Sequence, residues 1–532
     1  MKSTNRKHYV RAAVIGLGVA ASLLSVQQGT ALATEESFDS TAAAIIKLLK
    51  EKNIITDAEA KNILSRQKQA PVGQLSSPSP VTVVVPEGQQ YLQTVTDTVA
   101  RDIKDEVKQE VKLALKDEIA REVKLEAFTG SVPAWTKRIR FGGDVRLRYQ
   151  GDFFDKANDP QINYPTGDGT ELMNSLVNRN RVRYRVRIAA NAKVNNQTEV
   201  GVRLASGSSG DPISTNDTLG DYMNKDSVNI DQAYLKWSPI PESLAWTGEW
   251  NIWGGRMPNP FFSSDLVWDS DINLEGVATT LKVPINARWK GLFNAGAFPL
   301  QESEFSSDDK WLYGGQVGVE YAPQTTFNFT LAAAYYGFEN IQGKRNPTST
   351  FDVGINDYTV PLFQQKGNVV FDINDGTSAD TKFALASKYN EVNITSTLDL
   401  GFWDPVHVVL LADYVKNLGF DQEEVSALTG TPVPKEDTGY QVGLTVGYPK
   451  LQKLWDWQTY LFYKYLEADA VLDAFTDSDF HLGGTNAEGW ILGGQLGVGD
   501  GLWVNTRWIT TNETFGVPFA IDTLQVDLNG RF

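Results

Sequence analysis

Residues 179–188 read RNRVRYRVRI. Successive side chains of an extended strand point to opposite faces, so Arg179, Arg181, Arg183, Arg185 and Arg187 share one face. Val182, Tyr184, Val186 and Ile188 share the other. Five neighbouring guanidinium groups cannot lie in a dry core, because burying even one unpaired charge is strongly unfavourable. The arginine face must be wet and the opposite face must meet something apolar. In a membrane barrel that combination is an arginine ladder along an aqueous interior. A solvated sheet face that binds an anionic polymer is the alternative. The preceding segment repeats the pattern: Arg138, Arg140, Arg146 and Arg148 fall on one parity, Val145, Leu147 and Tyr149 on the other. Farther on, Arg203 is flanked by Val202 and Leu204 on the opposite face.

A period of two continues from residue 139 to the C-terminus. Turn residues bound candidate strands at 139–150, 178–191, 196–206, 227–238, 244–255, 273–283, 288–298 and 310–322. Eight more fall at 325–338, 386–402, 406–416, 437–448, 456–467, 487–498, 502–510 and 521–532. Short connectors alternate with long ones (151–177, 207–226, 256–272, 339–385, 417–436, 468–486), the asymmetry of an outer-membrane barrel with periplasmic turns and external loops. An even number of strands puts both barrel ends in the periplasm. In the last strand Leu524, Val526, Leu528, Gly530 and Phe532 alternate with Gln525, Asp527, Asn529 and Arg531. A terminal aromatic after such alternation resembles the signal read by the outer-membrane assembly machinery, which makes Phe532 the candidate insertion signal. Trp246 and Trp250, and later Trp455, Trp457, Tyr463 and Tyr465, fit aromatic girdles at the lipid interfaces. The fold expected is an all-β membrane protein, an up-and-down antiparallel barrel of about 16 strands over 139–532.

Composition agrees. Mean hydropathy is −0.29, and past the extreme N-terminus there is no apolar run of the roughly 20 residues that a membrane helix needs. With no cysteine, disulfides and thiolate metal sites are excluded. The formal net charge of −16 argues against nucleic acid as a partner.

Ahead of the barrel the periodicity is helical. Residues 1–33 read as a signal peptide: Lys2, Arg6, Lys7 and Arg11, then apolar Ala12 to Leu24, then Ala31-Leu32-Ala33 as cleavage site. Residues 34–67 read as a small helical unit, with Thr56 and Glu59 at capping-box spacing, and 68–90 as a Pro/Ser-rich linker. Across 91–128, Val95, Val99, Ile103, Val107, Val111, Leu115, Ile119 and Val123 recur every fourth residue. Such a stripe fits a self-associating, trimeric coiled coil; a single solvated helix is the alternative.

The third long connector is unusual. Its surroundings read GRMPNPFFSSDLVWDSDINLEG (255–276), with Phe261 and Phe262 followed by Asp265, Asp269, Asp271 and Glu275. Aromatics in a loop argue that it packs, so the expectation is a loop folded into the barrel that sets these acids against the arginine wall. An external loop whose acids bind divalent ions or lipopolysaccharide is the alternative. Enzymatic constellations are poor: past residue 33 the only histidines are His407 and His481, and neither G-x-S-x-G nor a P-loop occurs. No catalytic residue, metal or cofactor is expected.

At FGGDVRLRYQG (141–151), RNRVRYRVRIAANAKVNNQTEVGVRLASG (179–207), DPISTNDTLG (211–220), DQAYLKW (231–237), GGRMPNPFFSSDLVWDSDINLEGVA (254–278), LLADYVKN (410–417) and the NIITDAEA turn (53–60), the chain resembles the "putative porin" family of Gram-negative outer-membrane barrels. The resemblance implies a pore-forming barrel with a periplasmic N-terminal extension and, by analogy with general porins, a homotrimer in outer-membrane lipid and lipopolysaccharide. It lends no solute. The surface-layer-homology domain of some related porins is missing, which places cell-wall tethering by that route in doubt. Two functions follow: a passive pore for ions and small hydrophilic solutes, or a structural protein tying the membrane to the cell wall through its periplasmic coiled coil.

Overall fold

The computed structural model describes residues 136–166, 169–240, 247–304, 306–348, 354–375 and 380–532. The signal peptide, helical unit, linker and coiled coil expected over 1–128, and Trp246, lie outside the described residues. All described residues belong to one compact unit, Ala120–Phe532.

Sixteen long antiparallel strands form a closed barrel. They are β1 (Ile139–Phe154), β2 (Arg179–Lys193), β3 (Thr198–Ala205), β4 (Asn229–Trp237), β5 (Glu249–Pro258), β6 (Asn273–Pro284), β7 (Trp289–Gln301) and β8 (Lys310–Gln324). The second half comprises β9 (Phe327–Glu339), β10 (Asn390–Trp403), β11 (Val406–Asn417), β12 (Thr438–Gly447), β13 (Trp457–Leu466), β14 (Ala487–Gly499), β15 (Leu502–Glu513) and β16 (Ala520–Arg531). Each strand pairs with its sequence neighbours, and β1 pairs with β16 from Asp144↔Arg531 to Phe154↔Ile521. A two-residue ladder at Asp217–Thr218 adds to β2. The strands match the expected positions; the largest displacements are at β5 and β10, whose first residues come later than expected.

The seam is held at its end by the last residue. Phe532 N donates to Gly143 O and Gly143 N to Phe532 O, both at 3.1 Å. A Cβ on Gly143 would collide with the Arg187 carbonyl oxygen and lie 2.7 Å from the Phe532 ring, so glycine is what lets both approach β1 here.

Connectors of two to eleven residues at one end alternate with connectors of six to fifty at the other, of which the third spans 259–272, the fifth 340–389 and the seventh 467–486. Parity sorts the faces. Val145, Leu147, Val182, Ile188, Val317, Leu410, Leu444, Val526 and Leu528 are exposed on the outward face. Aromatics border this belt: Phe141, Trp237, Trp250, Trp289, Phe402, Trp403, Trp457 and Phe532 toward the short turns, and Tyr149, Tyr313, Tyr335, Tyr414, Tyr440 and Trp490 toward the long connectors. Large apolar groups left exposed in a continuous band fit lipid contact.

The buried apolar core lies inward and is built largely from connectors. Phe261, Leu266, Trp268 and Ile272 of the third pack with Val471, Leu472 and Ala474 of the seventh and with Phe298, Leu312, Tyr336 and Phe338 of β7 to β9. A smaller core joins Phe371, Ile373 and Ala384 of the fifth connector to Val425 of α1 (Gln422–Thr429). That helix is capped by Asp421, whose carboxylate accepts from the Glu423 and Glu424 amides.

On the outward face at mid-strand, Val317→Arg should cost about 2–4 kcal/mol of stability for a charge at membrane mid-depth. Denaturant unfolding in lipid vesicles measures it, and a loss near zero would place Val317 away from lipid.

Candidate functional site

The inward arginines of β1 and β2 are set by register. Arg148 lies opposite Arg183, and Arg146 opposite Arg185. Like charges opposed across a sheet repel, so this wall needs carboxylates. Its own strands supply some: Arg181 pairs with Asp152 at 2.8 Å, Arg185 with Asp144 at 2.8 Å, and Arg187 with Asp144 at 2.9 Å. Asp527 of β16, adjacent through the seam, takes two hydrogen bonds from Arg148 at 2.7 and 3.0 Å. Arg203 of β3 pairs with Asp231 of β4.

Connectors supply the rest. Asp271 of the third connector accepts from Arg187 at 2.9 Å and from the Thr215 hydroxyl at 2.9 Å. Asp479 of the seventh accepts from Arg148 Nη1 at 2.9 and 3.1 Å, from Arg507 of β15 at 2.5 Å and from Gln525 of β16 at 2.9 Å. Burial opposes the charge on Asp479, but Arg148 and Arg507 outweigh it and hold the carboxyl well below the usual carboxylate range.

The two connectors are also tied to each other. Asp269 N donates to Phe475 O at 2.7 Å, Ser478 N to the Asp269 carboxylate at 2.8 Å, and the Thr476 hydroxyl to Leu266 O at 2.9 Å. Trp268 stacks on Phe475 with centroids 5.8 Å apart. Burial, with Asp477 and Asp271 nearby, pushes the Asp269 carboxyl well up. The third connector also reaches β8, where Phe262 N donates to Gln316 at 2.8 Å, and β11, where the Ser264 hydroxyl donates to Asp413 at 2.6 Å. It thus bridges strands that are distant on the ring. Beside it lie a cavity of about 310 Å³, lined by Arg203, Ser263, Asp265, Asp269 and Asn273 among others, and one of about 350 Å³ bounded by Phe262, Lys282, Asn294 and Glu320.

The expected acids therefore part company. Asp271 meets the arginines. Asp265 faces Lys464 of β13 at 3.4 Å, and Asp269 binds backbone amides. Glu275 is not in the loop: it lies on β6, 56% exposed, paired with Arg256 of β5. Of the arginines, Arg140 and Arg179 are exposed at the starts of their antiparallel strands and so at opposite ends of the barrel, and neither forms an ion pair among the described residues. The sequence reading missed the seventh connector. Its EADAVLDAFTDSDFHLGGTN carries the same mixture of acids and apolar groups that marked the third, and nearly all of it is buried.

A second cluster sits where the fifth and seventh connectors meet. Val369 N and the Tyr389 hydroxyl donate to Asp469 at 3.0 and 2.7 Å, and Gln365 donates to Asp473 O at 2.6 Å. Burial pushes Asp469 up to about 7, and burial with the neighbouring Asp469 charge pushes Asp473 up to about 7. Burial lowers Lys366 to about 8, against the attraction of Glu513 and Asp473. His481 accepts or donates at 2.8 Å to Thr511 and 3.1 Å to Glu513, and burial with the Lys366 charge holds it well below its usual value, as neutral imidazole. His407 meets Asp399 at 2.7 Å. Among the described residues no group of three or more His, Asp and Glu could hold a metal ion.

Fold and inward polar face together define a transmembrane barrel of the outer-membrane channel class. The profile of the family described as "Putative porin" matches residues 39–532, and the chain belongs to that family. No curated protein matches the chain. Solved structures similar to it include OprB of Pseudomonas putida at high pH, with 12% identity, 75% of this chain and 95% of that one covered, and a TM-score of 0.44. The outer-membrane channel DcaP of Acinetobacter baumannii is 11% identical, with 74% and 97% covered and a TM-score of 0.38. OmpF of Salmonella typhi in complex with daunomycin shows 11% identity, 74% and 97% coverage and a TM-score of 0.38.

Asp479→Asn would leave Arg148, 3% exposed, and Arg507 short of a carboxylate. The loss should be roughly 2–4 kcal/mol, read from denaturant midpoints, with faster proteolysis within 467–486. For Asp469 and Asp473, folded values raised above the unfolded carboxylate range mean stability that is complete below about pH 4 and lost as pH rises through about 7. Lys366 acts only above about pH 8, and His481, held neutral, works in the opposite sense as pH falls below its ordinary 6.5, so one histidine offsets part of the effect of two aspartates. Protection of the 467–486 amides, taken relative to the intrinsic exchange rate at each pH, should therefore be weaker at pH 7.5 than at pH 5, with the difference reduced in Asp473→Asn; equal protection at both pH values would contradict this account.

Proposed function

We propose that the chain is a passive pore for ions and small hydrophilic solutes. The observation that carries this reading is a closed ring of sixteen strands whose inward face is charged and polar while its outward face is apolar. Sixteen strands enclose more space than their own side chains fill, which leaves room for water. Arg140, Arg146, Arg148, Arg179, Arg181, Arg183, Arg185, Arg187 and Arg203 line this lumen. The third and seventh connectors fold into it and narrow it, with Asp271 and Asp479 against the arginines and Asp265 and Asp269 holding the connectors in place. A charged constriction orients polar solutes and disfavours apolar ones. The reading is of a channel without enzymatic activity.

In the same reading residues 1–33 are a signal peptide, and 34–67, 68–90 and 91–128 are a helical unit, a linker and a coiled coil in the periplasm. The stripe from Val95 to Val123 supports a homotrimer. The assembly machinery reads the strand that ends in Phe532, and lipid and lipopolysaccharide surround the barrel. The stripe also favours a second reading, a structural link from membrane to cell wall. Deleting 35–126 separates the two: a pure link loses envelope integrity and keeps solute uptake.

Purified protein in planar bilayers should give stepwise conductance. Replacing Arg181, Arg183 and Arg185 together by Ser should shift ion selectivity toward cations. Protein that inserts and never conducts would defeat the pore reading.

A further inference from the structure

The ion pairs of the arginine wall do not reach every arginine. Arg146, Arg148, Arg181, Arg183, Arg185, Arg187 and Arg507 crowd one inward patch of β1, β2 and β15. Their ion-pair partners are five carboxylates, those of Asp144, Asp152, Asp271, Asp479 and Asp527. Seven guanidiniums share five ion-pairing carboxylates, and the geometry shows which two go without one. Arg146 donates at 2.5 Å to Asn216, a neutral amide, and has no carboxylate partner among the described residues. Arg183 makes neither a hydrogen bond nor an ion pair from its side chain to any described residue. The Nε atoms of both are buried without an acceptor.

Neighbouring acids do not fill the gap. Asp479 is already held by Arg148, Arg507 and Gln525. Asp211, the other acid that acts on Arg183, accepts the Ile213 and Ser214 amides at 3.1 and 3.0 Å. Meanwhile Arg148 stands opposite Arg183, and Arg185 opposite Arg146, so each unpaired charge is repelled by its cross-strand neighbour. Both residues are partly accessible, and the Arg183 terminal nitrogens and Arg146 Nη1 have no partner among the described residues, which leaves donors to take a ligand. Guanidinium groups bind carboxylate and phosphate oxygens through paired, charge-assisted hydrogen bonds. The wall already accepts one such group from the chain itself, since Arg148 donates to both oxygens of Asp479 through Nη1.

We infer that Arg146 and Arg183 form a binding site on the inward wall for a small oxyanion, a carboxylate or phosphate carried by a solute. This rests on the pore reading only for how the solute arrives; binding itself is measurable without conduction.

The experiment is calorimetric titration of the full chain in detergent, at low salt, with sodium benzoate, with inorganic phosphate and with neutral benzamide. Saturable binding of benzoate or phosphate is expected, with none of benzamide, and the stronger of the two arms identifies the oxyanion. Arg183→Gln and Arg146→Gln should each weaken it at least tenfold, while Lys388→Gln, at an exposed connector position paired with Glu424, should bind as the parent does. Because each Gln variant removes an unpaired charge facing a like one, both should fold with unchanged β-sheet circular dichroism and with denaturant midpoints no lower than the parent's. Absence of saturable binding to either oxyanion, or undiminished binding in both Gln variants, overturns the site. Binding in detergent by a protein that never conducts would instead leave the site standing and remove the pore.

Discussion

Hydrocarbon on the outside is the constraint from which the rest of this structure follows. A strand facing lipid has no water to satisfy its amides and carbonyls, so an open sheet edge is excluded and the sheet must close on itself. Here closure is the pairing of β1 with β16, with Phe532 and Gly143 exchanging backbone hydrogen bonds at its end. Once the ring is closed, side-chain alternation has only two destinations. Val145, Val182 and Val526 go to lipid, and Arg146, Arg183 and Gln525 go inward.

The inward face then inherits a problem that the outward face does not have. Two neighbouring strands with arginine at alternate positions bring guanidiniums into direct opposition, Arg148 to Arg183 and Arg146 to Arg185. Acids on the wall relieve part of this repulsion. The remainder recruits connectors: Asp271 and Asp479 are chain carboxylates drawn onto the arginines, and each brings its connector with it. Once there, the connectors bury Trp268, Phe475, Leu266 and Leu472 against β7 to β9, so the electrostatic anchor and the apolar core reinforce each other. The same packing places Asp469 and Asp473 where water cannot solvate their charge, which makes the junction of the fifth and seventh connectors sensitive to pH near neutrality, while the Asp479 anchor weakens only in acid.

Much of this was legible residue by residue. RNRVRYRVRI assigns ten side chains to two faces without reference to anything distant, because a period of two is a local property of extended backbone. The apolar aromatics of the third connector signalled that it packs, and it does. Its acids were less readable: Glu275 turned out to be a strand residue facing outward, since one residue of strand extension reverses the face on which a side chain points. The seventh connector carried the same signal in Val471, Leu472, Phe475 and Phe480, which are too apolar for a solvated loop.

By itself the sequence determined the barrel, its strand order and the face of most strand side chains away from the strand ends, because these depend on alternation, turn residues and neighbour pairing, all of which are short in range. Tertiary structure alone decided which charges meet. Arg148 and Asp479 are 331 residues apart, and no periodicity relates a strand position to a point on an irregular connector. Pairing of that kind is set by where a loop can go once the ring has closed around it, and so is its complement, the guanidiniums of Arg146 and Arg183 left without a carboxylate.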